Sequence, residues 1–448
     1  MPTANPASKD VSLEVLRGLA AVAVLFFHLL LAFHQTLPTA GAWWYGLVNG
    51  HAAVIVFFVL SGFVLTHRAL ATGDGRTLAR GALKRWPRLA GPILISVLLS
   101  WALMELDLMA HLDAARLSGS GWLARFGDGH PNGPLAPSLT EAVLQGGVLA
   151  LFRGAPADRS YNTVLWTMRY ELLGSLIAFA LGLALLQLRA ASLAVRLALL
   201  ALVALTVRFA EPYYLTFVVG VGLALLASVR QLVIPWPLAL AMVVLGVWLL
   251  GYVEGSRDHA VLAALYRGAP PATYVHIVAA AILIAASLGA APSPLRLPHR
   301  WASHLGRISF ALYLLHVPVL CSAGAASYVA LGGGSGAALA ASVVTIGVTW
   351  LLCLPLARFD RLWIGLLNRL AARILPDERT VPGPVPEARR ALVTTPVKLP
   401  DEGGMGGGWI AAEVGGVRGG PAPNVAAWCG SGSAIASRGL RRWWLSER

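Results

Sequence analysis

Two ionisable residues stand on one apolar stretch near the start of the chain. Arg17 and His28 are eleven residues apart in Leu13-Glu14-Val15-Leu16-Arg17-Gly18 and Phe26-Phe27-His28. On a helix that spacing is close to three whole turns, so the two share a face about 16 Å apart along the axis. Glu14 precedes Arg17 by three residues, on nearly the same face. Ionisable groups within a membrane helix are expensive and face a protein interior or a wet cavity. A histidine there can take and return a proton near neutral pH. The plainer reading is an arginine that reaches back to the interface and a histidine that hydrogen-bonds across helices.

Four further groups have chemical potential. Val56-Phe57-Phe58-Val59-Leu60-Ser61-Gly62-Phe63 places a small polar pair in an apolar run. It permits close helix packing, and it also allows Ser61 and the Gly62 backbone to line a substrate path. Lys84-Arg85-Trp86-Pro87-Arg88 precedes a third apolar run. If the segment is helical, Arg85 and Arg88 point the same way and can clamp phosphates, or they anchor the helix at the membrane surface. Asn162 and Leu165-Trp166-Thr167-Met168-Arg169-Tyr170-Glu171 open a fourth run. Glu171 then lies roughly 10–14 Å down that helix, a depth that matches His28. A carboxylate and a histidine at one depth can form a base and its orienting partner, or Glu171 pairs simply with Arg169. Last, Ser309, Tyr313 and His316 follow at offsets of four and three, on one helix face, and Pro318 should kink the helix and free backbone carbonyls. A polar contact between helices is the alternative there.

The elements that must position these groups are membrane helices. The 448 residues are 57% hydrophobic and 12% charged, with a mean hydropathy of +0.68. Soluble domains carry about 25% charged residues, so the main solvent here is lipid. Spans of about 20 apolar residues are expected at 12–33, 47–66, 89–109, 164–188, 192–208, 212–229, 233–252, 273–291, 307–330 and 337–357. The fold class is therefore an all-α polytopic membrane protein with about ten transmembrane helices. The first stretch runs on past Glu14 and Arg17 to Phe33, which fits a retained helix better than a cleaved signal.

The net charge of +14 sits in short segments between apolar runs, the pattern of cytoplasmic loops beside anionic lipid rather than of nucleic-acid binding. Arg68, Arg76, Arg80, Lys84, Arg85 and Arg88 fall in an expected cytoplasmic segment 67–88, while 34–46 and 331–336 carry no Lys or Arg. Ten spans with both termini in the cytoplasm follow from that asymmetry, and an odd number would spoil it. The long loop 110–163 then lies outside, where it is placed to cover a binding site. Residues 361–448 are expected to be a cytoplasmic juxtamembrane segment and a disordered tail, rich in Pro and Gly from 376 onward. Cys321, Cys353 and Cys429 have no paired spacing, so neither a disulfide framework nor a structural zinc site is expected.

Taken together and in this order, the motifs resemble the acyltransferase 3 family of membrane O-acyltransferases, over roughly residues 10–360. The matching positions are Arg17 and His28; Phe57, Phe58, Ser61, Gly62 and Phe63; Arg85 and Arg88; Trp166 and Glu171; and Ser309, Tyr313, His316 and Pro318. Thr167, Met168, Arg169 and Tyr170 depart from the family's more usual apolar or serine filling. The resemblance implies a multi-pass protein of the bacterial inner membrane. It implies acyl transfer from cytoplasmic acyl-CoA, acetyl-CoA above all, to a hydroxyl on a glycan, lipid-linked sugar or glycoside, without a metal. Arg17, Arg85 and Arg88 would hold the CoA phosphates. His28, oriented by Glu171, would be the general base, or it would carry the acyl group transiently. Ser61, Trp166, Tyr313 and His316 would line the path. The rival class is a transporter or flippase with a His/Glu/Arg proton relay, and a structural membrane subunit is the third.

Overall fold

A computed structural model describes residues 6–34, 44–126, 137–154, 160–230, 233–289 and 299–376. The expected tail from 377 onward lies outside the described residues. The chain is an all-α polytopic membrane protein. The principal helices are α1 (Pro6–Leu29), α2 (Gly50–Thr72), α3 (Gly75–Glu105), α4 (His111–Ser118), α5 (Gly121–Ala124) and α6 (Trp166–Gln187). They continue with α7 (Leu193–Ala210), α8 (Pro212–Val229), α9 (Trp236–Leu250), α10 (Ala272–Gly289), α11 (His299–Val319) and α12 (Gly334–Ile374).

Nine helices among the described residues are long and apolar enough to cross a membrane, and α9 is a shorter apolar helix. Its contacts nevertheless make it a tenth passage. Ile234 N donates to Gly289 O, at the end of α10. At the other end, His276 Nε2, near the start of α10, stands 3.1 Å from Tyr252 O. With its flanking residues α9 thus runs antiparallel to α10 over most of that helix's length. Counting it, α1 and α11 are the first and ninth passages and must run the same way. They do: Gly18 packs on Leu305, Gly306 on Glu14, and His28 meets His316. With α9 counted, the parallel pairing of α1 and α11 is consistent with the ten spans expected from the sequence.

The third helix starts far earlier than expected. The segment 67–88, expected to be cytoplasmic, is helical: it is the end of α2 and the first half of α3, joined by Gly73 and Asp74 alone. Gly73 adopts φ 75°, a left-handed conformation that a side chain would strain. Asp74 caps α3 by accepting from Arg76 N and Thr77 N. The Thr77 hydroxyl also donates to Asp74 Oδ2 at 2.6 Å, and this bond holds the carboxyl below the usual carboxylate range. Arg85 and Arg88 are consequently buried mid-helix rather than anchored at a surface. Similarly, α12 continues past residue 360, the expected end of the membrane domain, to Ile374.

Glycines set two close crossings. A Cβ on Gly62 would lie 2.3 Å from Phe217 O, and one on Gly220 would lie 2.3 Å from Val59 O, so α2 and α8 touch backbone to backbone. A Cβ on Gly18 would lie 2.4 Å from Leu305 Cγ, and one on Gly306 would lie 2.8 Å from Glu14 Cβ. From the Gly18–Leu305 contact, His28 is ten residues along α1 and His316 eleven residues along α11. Two parallel helices with nearly equal offsets, about 15–16 Å, bring the histidines close to one depth.

Candidate functional site

The polar residues form two groups in the bundle. The first surrounds a cavity with about 550 Å³ of empty space, lined by Arg17, Ser61, Arg85, Arg88 and Glu171 among Phe57, Phe58, Phe310 and Tyr313. That mixed polar and apolar lining suits a small-molecule or cofactor portion. Glu171 accepts from Ser61 Oγ at 2.7 Å and pairs with Arg85 Nη2. Arg85 Nε donates to Ser175 Oγ at 2.9 Å. Arg88 forms a two-pronged bond with Asp360, Nη1 to Oδ1 at 2.6 Å and Nη2 to Oδ2 at 3.0 Å. Arg17 is 8% exposed, and its Nε has no hydrogen-bond partner among the described residues. Arg17 also lines the cavity, so its guanidinium can offer hydrogen-bond donors there.

The second group is a histidine pair. His316 Nε2 stands 3.0 Å from His28 Nδ1. His316 Nδ1 faces Leu312 O at 3.1 Å, and His28 Nδ1 faces Val24 O at 2.9 Å. A carbonyl only accepts, so both Nδ1 atoms carry hydrogen. His28 Nδ1–H is then shared between two acceptors, Val24 O and His316 Nε2. The lone pair of neutral His28 is left on Nε2, the atom that can take a proton. His316 is fully buried and His28 half-buried.

Tyr313 separates the two groups. Its ring lies 6.0 Å from both His316 and Phe57, and it lines the cavity. Its hydroxyl donates to Val164 O at 3.1 Å and stands 2.9 Å from Thr167 Oγ1. Pro318 does free a carbonyl, as its position in the helix implies. The Leu314 oxygen, four residues before it, accepts from Asn162 Nδ2 at 2.7 Å and Ser96 Oγ at 2.8 Å. These bonds tie α3 and the approach to α6 onto the histidine-bearing helix. Ser309 instead bonds back to Gly306 O within its own helix.

A family profile described as an acyltransferase domain matches residues 10–354. The chain belongs to the acyltransferase 3 family. No curated protein matches the chain, and no solved structure does.

The acyltransferase brings together most of the residues singled out by sequence, in a different arrangement. Arg17, Ser61, Arg85, Arg88, Glu171 and Tyr313 share one cavity. Glu171 is not beside His28: its partners are Ser61 and Arg85, and the histidine's partner is His316. Ser61 stands eleven residues along α2 from Gly50, which packs on Phe27, so Glu171 lies about three turns from the histidine level, in the Arg17 cavity. Trp166 lies off the cavity wall, packed at 5.6–6.2 Å against Tyr213, Tyr170 and His51. Asp360 was missed. Its sequence signal is a single acid within Arg358-Phe359-Asp360-Arg361, in a stretch whose basic residues suggested an interface.

Proposed function

We propose that this membrane acyltransferase moves an acyl group, acetyl in the simplest case, from acyl-CoA to a hydroxyl of a glycan, lipid-linked sugar or glycoside. The observation that carries the reading is the His28–His316 contact, which leaves His28 Nε2 as a positioned base. The cavity takes the donor. The Arg17, Arg85 and Arg88 side chains suit the phosphates and carbonyls of CoA. Phe57, Phe310 and the Tyr313 ring suit its pantetheine arm and acyl chain. Glu171 acts from the cavity wall, holding Arg85 and Ser61 in place.

The acceptor hydroxyl attacks the thioester carbon, the carbon–sulfur bond breaks, and the hydroxyl proton passes to His28 Nε2 and on to the thiolate. As His28 gains charge, its Nδ1–H donates more strongly to His316 Nε2. The positive loop charges in the sequence support donor binding from the cytoplasm of a bacterial cell, across the inner membrane, with both termini inside.

The test is His28→Ala in membranes, with acetyl-CoA consumption and label transfer to membrane and secreted material measured together. Loss of about 10²–10⁴-fold in transfer is expected for a general base. Full transfer by correctly inserted H28A protein would remove His28 from the chemistry. Solute movement without acyl-CoA consumption in the wild type would favour the transporter reading.

A further inference from the structure

The segment 108–126, between α3 and the next membrane helix, is attached to the histidine pair at three points. Both histidine-bearing helices widen into a π-type turn just beyond the histidine: Leu30–His34 after His28, and Leu320–Gly324 after His316. Such turns are rare and concentrate at functional sites. Each offers one carbonyl to the segment. Ser120 Oγ donates to Leu31 O at 2.7 Å, and Ala110 N donates to Cys321 O at 3.0 Å. Between these anchors lies α4, and α5, which Ser120 caps, carries Trp122, whose ring centroid is 5.1 Å from that of His28. Trp122 is 7% exposed, and Leu123 and Phe126 beside it are fully buried. The segment is therefore packed as core, with an indole set on the ring of a residue at the reacting end.

We propose that Trp122 is a positioning residue that closes one face of His28 against water, so that the acyl group passes to an acceptor rather than being hydrolysed. The inference rests on His28 being the base. Hydrolysis uses the same route: water attacks the thioester carbon, its proton goes through His28 Nε2 to the departing sulfur, and a carboxylic acid and free CoA result. Water and an acceptor hydroxyl therefore compete for one base, and only access separates them. Removing the indole leaves a hole beside two imidazoles, polar enough to hold water. The hydrogen bonds at Leu31 and Cys321 fix the indole to the same two turns that follow the histidines, so lid and base move as one.

The experiment uses the full chain in lipid nanodiscs, in wild-type, Trp122→Ala, Trp122→Leu and Trp122→Phe forms. The first readout is carbethoxylation of His28 by diethyl pyrocarbonate, followed by peptide mass spectrometry, with buried His276 as the internal reference for an intact fold. Trp122→Ala should raise the His28 rate at least fivefold with His276 unchanged. Trp122→Leu, which retains apolar volume, should fall between, and Trp122→Phe should stay near wild type. Equal His28 rates across the series overturn the proposal. The second readout is thiol release from acetyl-CoA with no acceptor added. Trp122→Ala should leak roughly tenfold faster than wild type, and the leak should vanish in the Trp122→Ala/His28→Ala double variant. An unchanged leak overturns the water-exclusion role. A leak that rises but persists in the double variant keeps the lid and removes His28 as the base, which separates the two readings.

Discussion

His316 Nε2 lies 3.0 Å from His28 Nδ1, a contact between residues 288 positions apart that joins the first and ninth passages of the bundle. The geometry makes His316 the acceptor that orients His28. Replacing it with Ala removes one hydrogen bond, worth about 1–1.5 kcal/mol, and should lower the turnover rate roughly tenfold. His316→Gln, whose amide oxygen can still accept from Nδ1–H, should recover part of the loss, whereas a purely structural role would not discriminate between them. Initial rates of acyl transfer across pH 5.5–8.5, with donor KM measured separately, check this: turnover should fall while the KM for acyl-CoA stays.

Much of this architecture was legible in the chain. The apolar runs located the passages, and the even count required by the charge pattern agrees with the antiparallel placement of the short helix α9. Arg17 and His28 were visible because charged residues in an apolar run have no cheap explanation. The relative depth of residues on different helices was not legible. Glu171 bonds Ser61, eleven residues along α2 from Gly50, which packs on Phe27 beside His28, so Glu171 lies in the Arg17 cavity and turns toward Arg85 rather than standing level with the histidine. The sequence left Arg85 and Arg88 open between a phosphate clamp and a surface anchor. Their buried partners, Glu171 and Asp360, on distant parts of the chain, are what let them sit inside.

Glu171 provides a discriminating case. Were it the partner of His28, Glu171→Gln would reproduce the His316→Ala phenotype. Its bonds to Arg85 and Ser61 place its effect on the donor cavity instead. Glu171→Gln keeps an acceptor for Ser61 but removes the charge opposite Arg85. The expected result is a rise in acyl-CoA KM of about tenfold, equivalent to one charge-assisted hydrogen bond of roughly 1.5 kcal/mol, with a smaller change in turnover. Steady-state kinetics over a range of donor concentrations distinguishes the two outcomes.

Asp74 gives a prediction about pH. It caps α3 at a two-residue corner, and the Thr77 hydroxyl holds its carboxyl below the usual range. A carboxyl depressed in the folded state stabilises it above the unfolded value of about 3.9. That contribution fades as pH falls through the lower folded value. Asp74→Ala should therefore lower thermal stability at pH 7, where capping is worth about 0.5–2 kcal/mol. The gap between variant and wild type should narrow below about pH 4. Thermal unfolding in detergent at several pH values tests both halves.

Gly62→Ala should loosen the scaffold without touching a polar group. The added carbon would lie 2.3 Å from Phe217 O, a backbone atom that cannot rotate away, so α2 and α8 must separate. Overpacking of this kind costs about 1–3 kcal/mol. Because Ser61 adjoins Gly62, the shift should also disturb the Ser61–Glu171 bond. Lower thermal stability together with a raised donor KM is the expected pair of results, and Ser61→Ala should raise KM without the stability loss.

The Arg88–Asp360 pair carries the last prediction. Both carboxylate oxygens accept from Arg88, at 2.6 and 3.0 Å, and the two side chains are only 10% and 12% exposed. Removing one partner leaves the other charge buried and uncompensated, which costs about 3–5 kcal/mol. Asp360→Ala should therefore sharply reduce the yield and thermal stability of folded protein. Removing both charges lifts that penalty, so Arg88→Met/Asp360→Leu should recover most of the stability. The double variant separates structure from chemistry: if Arg88 also binds the donor from the cavity wall, the refolded protein should remain poor in acyl-CoA binding. Recovery of stability with wild-type donor affinity would make the pair a structural brace alone.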